Sequence, residues 1–202
     1  MDTNEFDYYL IYNTGEPNVP LLKNNDDADP EGTHFTYRAE YAIIEKPVSL
    51  ALNSPVPSKP NFEVDYYQLP SPVFSQKIYE ALFPLNIHGY QLAPAIIVDK
   101  KGKEHKDFWI ENAYTRIECF DKEKSIYTYS SFTKTWTNIE KIVIDKEALA
   151  KIPLNERLVF RPKETRQFLF YHKTVVDAIM ATNPVNIKFV SIEDWFEGVS
   201  FV

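Results

Sequence analysis

The sequence predicts an α+β fold, a largely antiparallel sheet carrying two principal amphipathic helices. Aromatic residues make up 15% of the chain, including 13 Tyr and 14 Phe, and such side chains favour pleated, half-buried positions. Short apolar runs alternate with polar residues and are separated by turn chemistry. Two segments, one after Ser71 and one after Tyr171, instead repeat their apolar residues at helical spacing. With 202 residues, 44% of them hydrophobic, the chain can hide about 70% of its unfolded surface in a core.

The elements follow in order. Phe6–Tyr12 reads as a strand, residues 13–32 as a polar loop and Tyr37–Ile44 as a second strand. Lys46–Pro60 carries Pro47, Pro55, Pro57 and Pro60, which read as a linker because proline removes a ladder donor and breaks helices. Residues 1–60 therefore form an N-terminal β segment with an acidic loop and a Pro-rich linker, packed against an α+β core domain of residues 61–202.

In that core, Phe62, Val64 and Tyr66 alternate as a strand does, and Ser71-Pro72 places an N-cap and a first-turn proline ahead of a helix. The helix buries Phe74, Ile78, Ala81 and Leu82 and ends at Pro84. Tyr90–Val98 and His105–Thr115 flank a charged tip containing Gly102 and predict a hairpin. Ile117–Phe120 is expected to pair with Ile126–Tyr129, and Ile139–Ile144 adds a strand to the meander. Asp145 caps a short helix, and Leu158–Arg161 pairs with Gln167–Phe170. A second helix covers about His172–Thr182. Shifting it by 97 residues superposes Phe74 on Tyr171, Ile78 on Val175, Leu82 on Ile179 and Asn86 on Asn183, which suggests an internal strand–helix–strand repeat. Ser191 and Asp194 have capping-box spacing before Trp195-Phe196.

Charge narrows the class of partner. The net charge is -7, and residues 1–60 hold 10 acids against 4 bases. Nucleic acid and anionic membranes need a basic surface, so neither is an expected partner. A basic protein is compatible. Cys119 is the only cysteine, which rules out an intramolecular disulfide and fits a reducing compartment. The acidic N-terminus lacks the pattern of a signal peptide, and the expected location is cytoplasmic. The longest apolar run, Leu92–Val98, is far below the roughly 20 residues that span a bilayer.

No residue set announces chemistry, so catalytic, metal and cofactor residues are all read as none. His34, His88, His105 and His172 lie in separate segments, without the spacing of a helical metal pair. Asp27, Asp29, Glu31 and Gly32 open like a calcium loop, but Arg38 stands where the closing glutamate belongs. Five glycines make no phosphate cradle. A site assembled only in space would make the chain a small hydrolase or transferase; a scaffolding module is the other alternative. The expected partner-binding residues are the acids Asp26, Asp27, Asp29 and Glu31, which would steer a basic partner, and the aromatics Trp109, Tyr127, Tyr129 and Trp136, which anchor interfaces when exposed.

The second half adds a resemblance. Arg157-Leu158-Val159-Phe160-Arg161, then Phe168-Leu169-Phe170, a helix and Val185–Val190 together resemble an immunity-protein family of bacterial polymorphic toxin systems, first catalogued as a domain of unknown function. The likeness spans about residues 62–202, with Asn186 standing where that pattern would carry a glycine. It implies a cytoplasmic protein that binds and neutralises a cognate toxin, without cofactor or turnover.

Overall fold

The computed structural model describes residues 5–29, 35, 40–165 and 167–197. In chain order the elements are β1 (Tyr8–Tyr12), β2 (Leu22–Asn24), β3 (Val48–Leu52), β4 (Tyr66–Tyr67), β5 (Val73–Ser75), α1 (Gln76–Leu82), β6 (Tyr90–Val98) and β7 (Glu104–Ala113). Then come β8 (Arg116–Ile117), β9 (Ile126–Ser130), β10 (Thr135–Lys141), α2 (Lys146–Ala150), β11 (Val159–Pro162), β12 (Phe170–His172), α3 (Lys173–Met180) and β13 (Lys188–Ser191). The result is the expected α+β fold. A six-stranded sheet has the order β2-β3-β6-β7-β5-β4, a five-stranded sheet the order β13-β1-β12-β11-β8, and β9 and β10 form a separate ribbon. Pairing is antiparallel except for β3 with β6 and β11 with β8.

Two strand–helix–strand units share one register. In the first, Phe74 of β5 stands between Tyr66 of β4 and Trp109 of β7. In the second, Tyr171 of β12 stands between Val159 of β11 and Tyr9 of β1. Ala93 opposes Ile110 and Leu92 opposes Glu111 in the first; Val190 opposes Leu10 and Phe189 opposes Ile11 in the second. Strand order, direction and register therefore coincide, with β1 from the start of the chain filling the place that β7 holds. Asn86 and Asn183, after the two helices, both take positive φ, 44° and 52°, as do Gly89 and Asn186, at 63° and 68°. Asparagine adopts this conformation more readily than other non-glycine residues, which accounts for Asn186 at a glycine position.

Alternation along each strand sorts its side chains between two faces. The inner faces meet in one core, where Phe74, Ile78 and Leu82 join Tyr171, Val175 and Ile179, and α1 packs on α3. The outer face of the six-stranded sheet buries Val48, Leu50, Ile97 and Ile110. That of the five-stranded sheet buries Tyr8, Phe160 and Phe170 against Trp136, Ile139 and Trp195. Burying a large aromatic or aliphatic side chain contributes about 1.5–3 kcal/mol, so these faces dominate stability.

Several sequence expectations need correction. The segment after Pro47 is not a linker throughout: β3 lies between β2 and β6, with Val48 and Leu50 buried and the prolines outside it. Tyr37–Ala39 fall outside the described residues, and residues 40–44 are not a strand. There the Gln91 amide accepts from the Ala42 N–H and donates to its carbonyl, replacing a ladder. The helix expected at Ser71-Pro72 starts at Gln76, because Val73–Ser75 are held in β5 by both neighbours. β9 pairs with β10, not with residues 117–120; β8 instead runs parallel to β11. The expected turn of helix before Trp195 is a non-helical turn, in which Trp195 is buried and Phe196 is 54% exposed.

Buried polar groups tie these layers together. The Arg157 guanidinium donates to the Glu5 carbonyl and carboxylate, the Tyr8 hydroxyl and the Ile152 carbonyl, at 2.7–2.9 Å. Asp65 accepts from the Ser75 hydroxyl and the Val185 N–H and pairs with Lys77. Glu111, fully buried, accepts from the Tyr171 hydroxyl at 2.7 Å, while its second oxygen makes no well-directed hydrogen bond. Burial pushes its carboxyl up to about 7, against the lowering influence of Tyr171 and Arg161.

Candidate protein-interaction surface

The β9–β10 ribbon carries three exposed apolar side chains, Ile126, Tyr129 and Phe132, beside the expected site residues Tyr127 and Trp136. Alternation puts Tyr127 and Tyr129 on one face of β9, and the register sets Tyr129 opposite Trp136. Trp136 stacks on Tyr127, with ring centroids 3.4 Å apart and planes 3° from parallel, and reaches Phe120 below. The stack fixes the ribbon on the core through a buried Trp136 and leaves Tyr129 55% exposed. Phe132 in the connecting turn is 96% exposed and Ile126 at the strand start 51%. The turn is held by the Thr133 N–H donating to the Ser130 hydroxyl and by Lys134 at positive φ. Burying exposed aromatics of this kind supplies most of the energy at interface hot spots.

At the base of the ribbon lies a cleft of about 830 Å³ between residues 118–124 and 143–148. Its carboxylates are Glu118, Asp121, Glu123, Asp145 and Glu147, against Lys122, Lys124 and Lys146. Local pairs occupy several of them. Lys122 donates to Glu118 and Lys124 to Asp121, and these bonds hold both carboxyls below the usual carboxylate range. Asp145 caps α2 by accepting the Ala148 N–H at 2.9 Å. Cys119 contributes to the wall, but its side chain is buried, and burial followed by the nearby Glu164 charge pushes the thiol well up, leaving it a poor nucleophile. Glu164 accepts the Cys119 and Phe120 N–H groups at 2.8 Å and so shapes this wall from behind.

The acidic loop follows β2. Asp26 and Asp27 are exposed, whereas Asp29 is 3% exposed, accepting the Ser49 N–H at 2.9 Å and pairing with Lys46. Asp29 thus staples the loop to β3 and does not present its carboxylate outward. Glu31 lies outside the described residues. Trp109 belongs to a different sheet: it stacks on Tyr79 at 3.6 Å and donates to the Gln76 side chain at 2.7 Å, locking α1 on β7. The structure therefore gathers Tyr127, Tyr129 and Trp136 on one ribbon and keeps Trp109 and the acids apart from them. Sequence reasoning missed Phe132 and Ile126. The available signal was a lone phenylalanine inside the polar run Ser130–Thr135.

His105 stacks on Phe62 and faces Asp99 at 3.4 Å. Among the described residues no group of three or more His, Cys, Asp and Glu side chains could hold a metal ion, and no helix is long and apolar enough to cross a membrane.

The α+β scaffold thus seals its perturbed carboxyl, Glu111, in the core and carries exposed aromatics on the β9–β10 ribbon. A model of the Immunity protein family (Imm11) matches residues 20–194, and the chain belongs to that family. A comparison with curated protein sequences gives no match.

Proposed function

We propose that the chain neutralises a cognate bacterial toxin by binding it, with the β9–β10 ribbon and the cleft at its base as the contact surface. Membership of the immunity family carries the reading. The exposure of Tyr129, Phe132 and Ile126 supports the choice of surface. Asp26 and Asp27 add a negative edge that would speed the approach of a basic toxin domain, and a site in the cytoplasm would let the chain meet that toxin inside the cell. Charge at a rim acts mainly on association rate, whereas buried aromatic anchors act on dissociation.

The two contributions separate experimentally. Replacing Tyr129 and Phe132 by alanine should weaken toxin binding by about 2 kcal/mol or more, chiefly through faster dissociation. The Asp26→Ala, Asp27→Ala pair should slow association several-fold at low salt. Stopped-flow or surface-binding kinetics with the purified toxin domain would read both. Unchanged dissociation in the aromatic variant would remove the ribbon from the interface, and unchanged association in the acidic variant would remove the loop.

A further inference from the structure

The ribbon has a second property, independent of the toxin reading. β9 bonds to β10 on one side, and among the described residues no other main-chain group reaches it. Its opposite edge is an open row of backbone donors and acceptors over five uncharged residues, Ile126-Tyr127-Thr128-Tyr129-Ser130. Sheet edges are normally blunted by shortness, by charge or by proline. The other edges follow that rule: β2 has three residues including Lys23, β4 two residues, β8 two including Arg116, and β13 begins with Lys188. The far side of β10 is met by Phe196, Glu197 and Glu164. Among the described residues β9 is the one edge that is longer, uncharged and without a second main-chain neighbour.

We infer that β9 pairs edge to edge, antiparallel, with β9 of a second copy of this chain, forming a four-stranded sheet β10-β9-β9-β10 across a twofold axis. The occupant follows from the sequence of the edge. Tyr127-Thr128-Tyr129 reads the same in both directions, so an axis through Thr128 sets Thr128 opposite Thr128 and each Tyr127 opposite the copy's Tyr129. Ile126 then meets Ser130. Threonine and aromatic cross-strand pairs are favourable, and no like charges are opposed. A twofold contact requires such self-complementarity. A basic toxin strand finds no carboxylate on β9 to attract it.

A five-residue ladder is a small interface, and the dimer it gives is weak and concentration-dependent. Sedimentation equilibrium on the full chain tests it. The native protein should pass from monomer to dimer as concentration rises. Thr128→Lys, at an exposed position, should weaken dimerisation at least about tenfold by opposing two lysines at the axis. Thr133→Lys, in the turn outside the ladder, should dimerise as the native chain does. Hydrogen exchange should show β9 amides gaining protection with concentration in the native chain and not in Thr128→Lys, whose circular dichroism confirms its fold. A native chain monomeric at every concentration, even one that takes up a toxin strand at this edge, would overturn the inference. So would a Thr128→Lys variant that dimerises normally, or loss of the dimer in Thr133→Lys.

Discussion

The two repeated units share strand order and register, yet they solve the same packing problem with different chemistry. Where the second unit places Ile11, the first places Glu111, and where the first has Phe74, the second has Tyr171, whose hydroxyl serves that glutamate. Where the first turns at Gly89, the second turns at Asn186, whose amide donates to the Tyr66 carbonyl and whose oxygen accepts from Thr14 and Glu16. Backbone register is preserved by pattern alone, while polar groups are placed one at a time and need individual partners.

The largest effect should come from the shared core. Phe74→Ala and Tyr171→Ala, at equivalent positions, should each cost about 3–5 kcal/mol in denaturant unfolding. The tyrosine variant should additionally change the pH dependence, because it strips Glu111 of its donor. Equal pH profiles for the two would break the assignment of Tyr171 to that carboxyl.

Glu111→Gln sharpens the contrast between the units. Burial raises its carboxyl from 4.5 to about 7 in the fold, so the neutral form is the one the core favours. Its contribution is fully present below the unfolded value and is lost as pH rises through about 7. Glutamine keeps an acceptor for Tyr171 without the charge. The variant should match the native chain near pH 4 and exceed it by about 3 kcal/mol at pH 8. A native stability that does not fall between those pH values would contradict the account.

A smaller effect separates Gly89 from Asn186. A Cβ at Gly89 would lie 1.6 Å from the Thr115 hydroxyl oxygen and 2.8 Å from its Cβ, at φ +63°. Gly89→Ala should therefore cost about 2 kcal/mol by thermal unfolding, although the equivalent position tolerates asparagine. A neutral result would show that the Thr115 side chain moves aside freely.

Much of this architecture is legible in the sequence. The aromatic content and alternation give the fold class, and the matching helical residues, Ile78 with Val175 and Leu82 with Ile179, disclose the repeat, because both follow from local periodicity. Strand partners are not legible in the same way. Ile126–Ser130 carries no mark that distinguishes Thr135–Lys141 from Ile117–Phe120 as its partner, and Phe74 fits a helix face as well as a strand between two others. The candidate site was visible only in part. Tyr127, Tyr129 and Trp136 are aromatic in any reading, but their exposure is set by long-range packing, as is the inward turn of Asp29 towards Ser49 and Lys46.

The most direct test of the binding account is protection in living cells. A cognate toxin domain would be expressed in a bacterium with and without the chain, and the two proteins would then be purified together. The account predicts restored growth and a stable complex of the two. Persistent toxicity in cells that hold abundant, folded chain would contradict it.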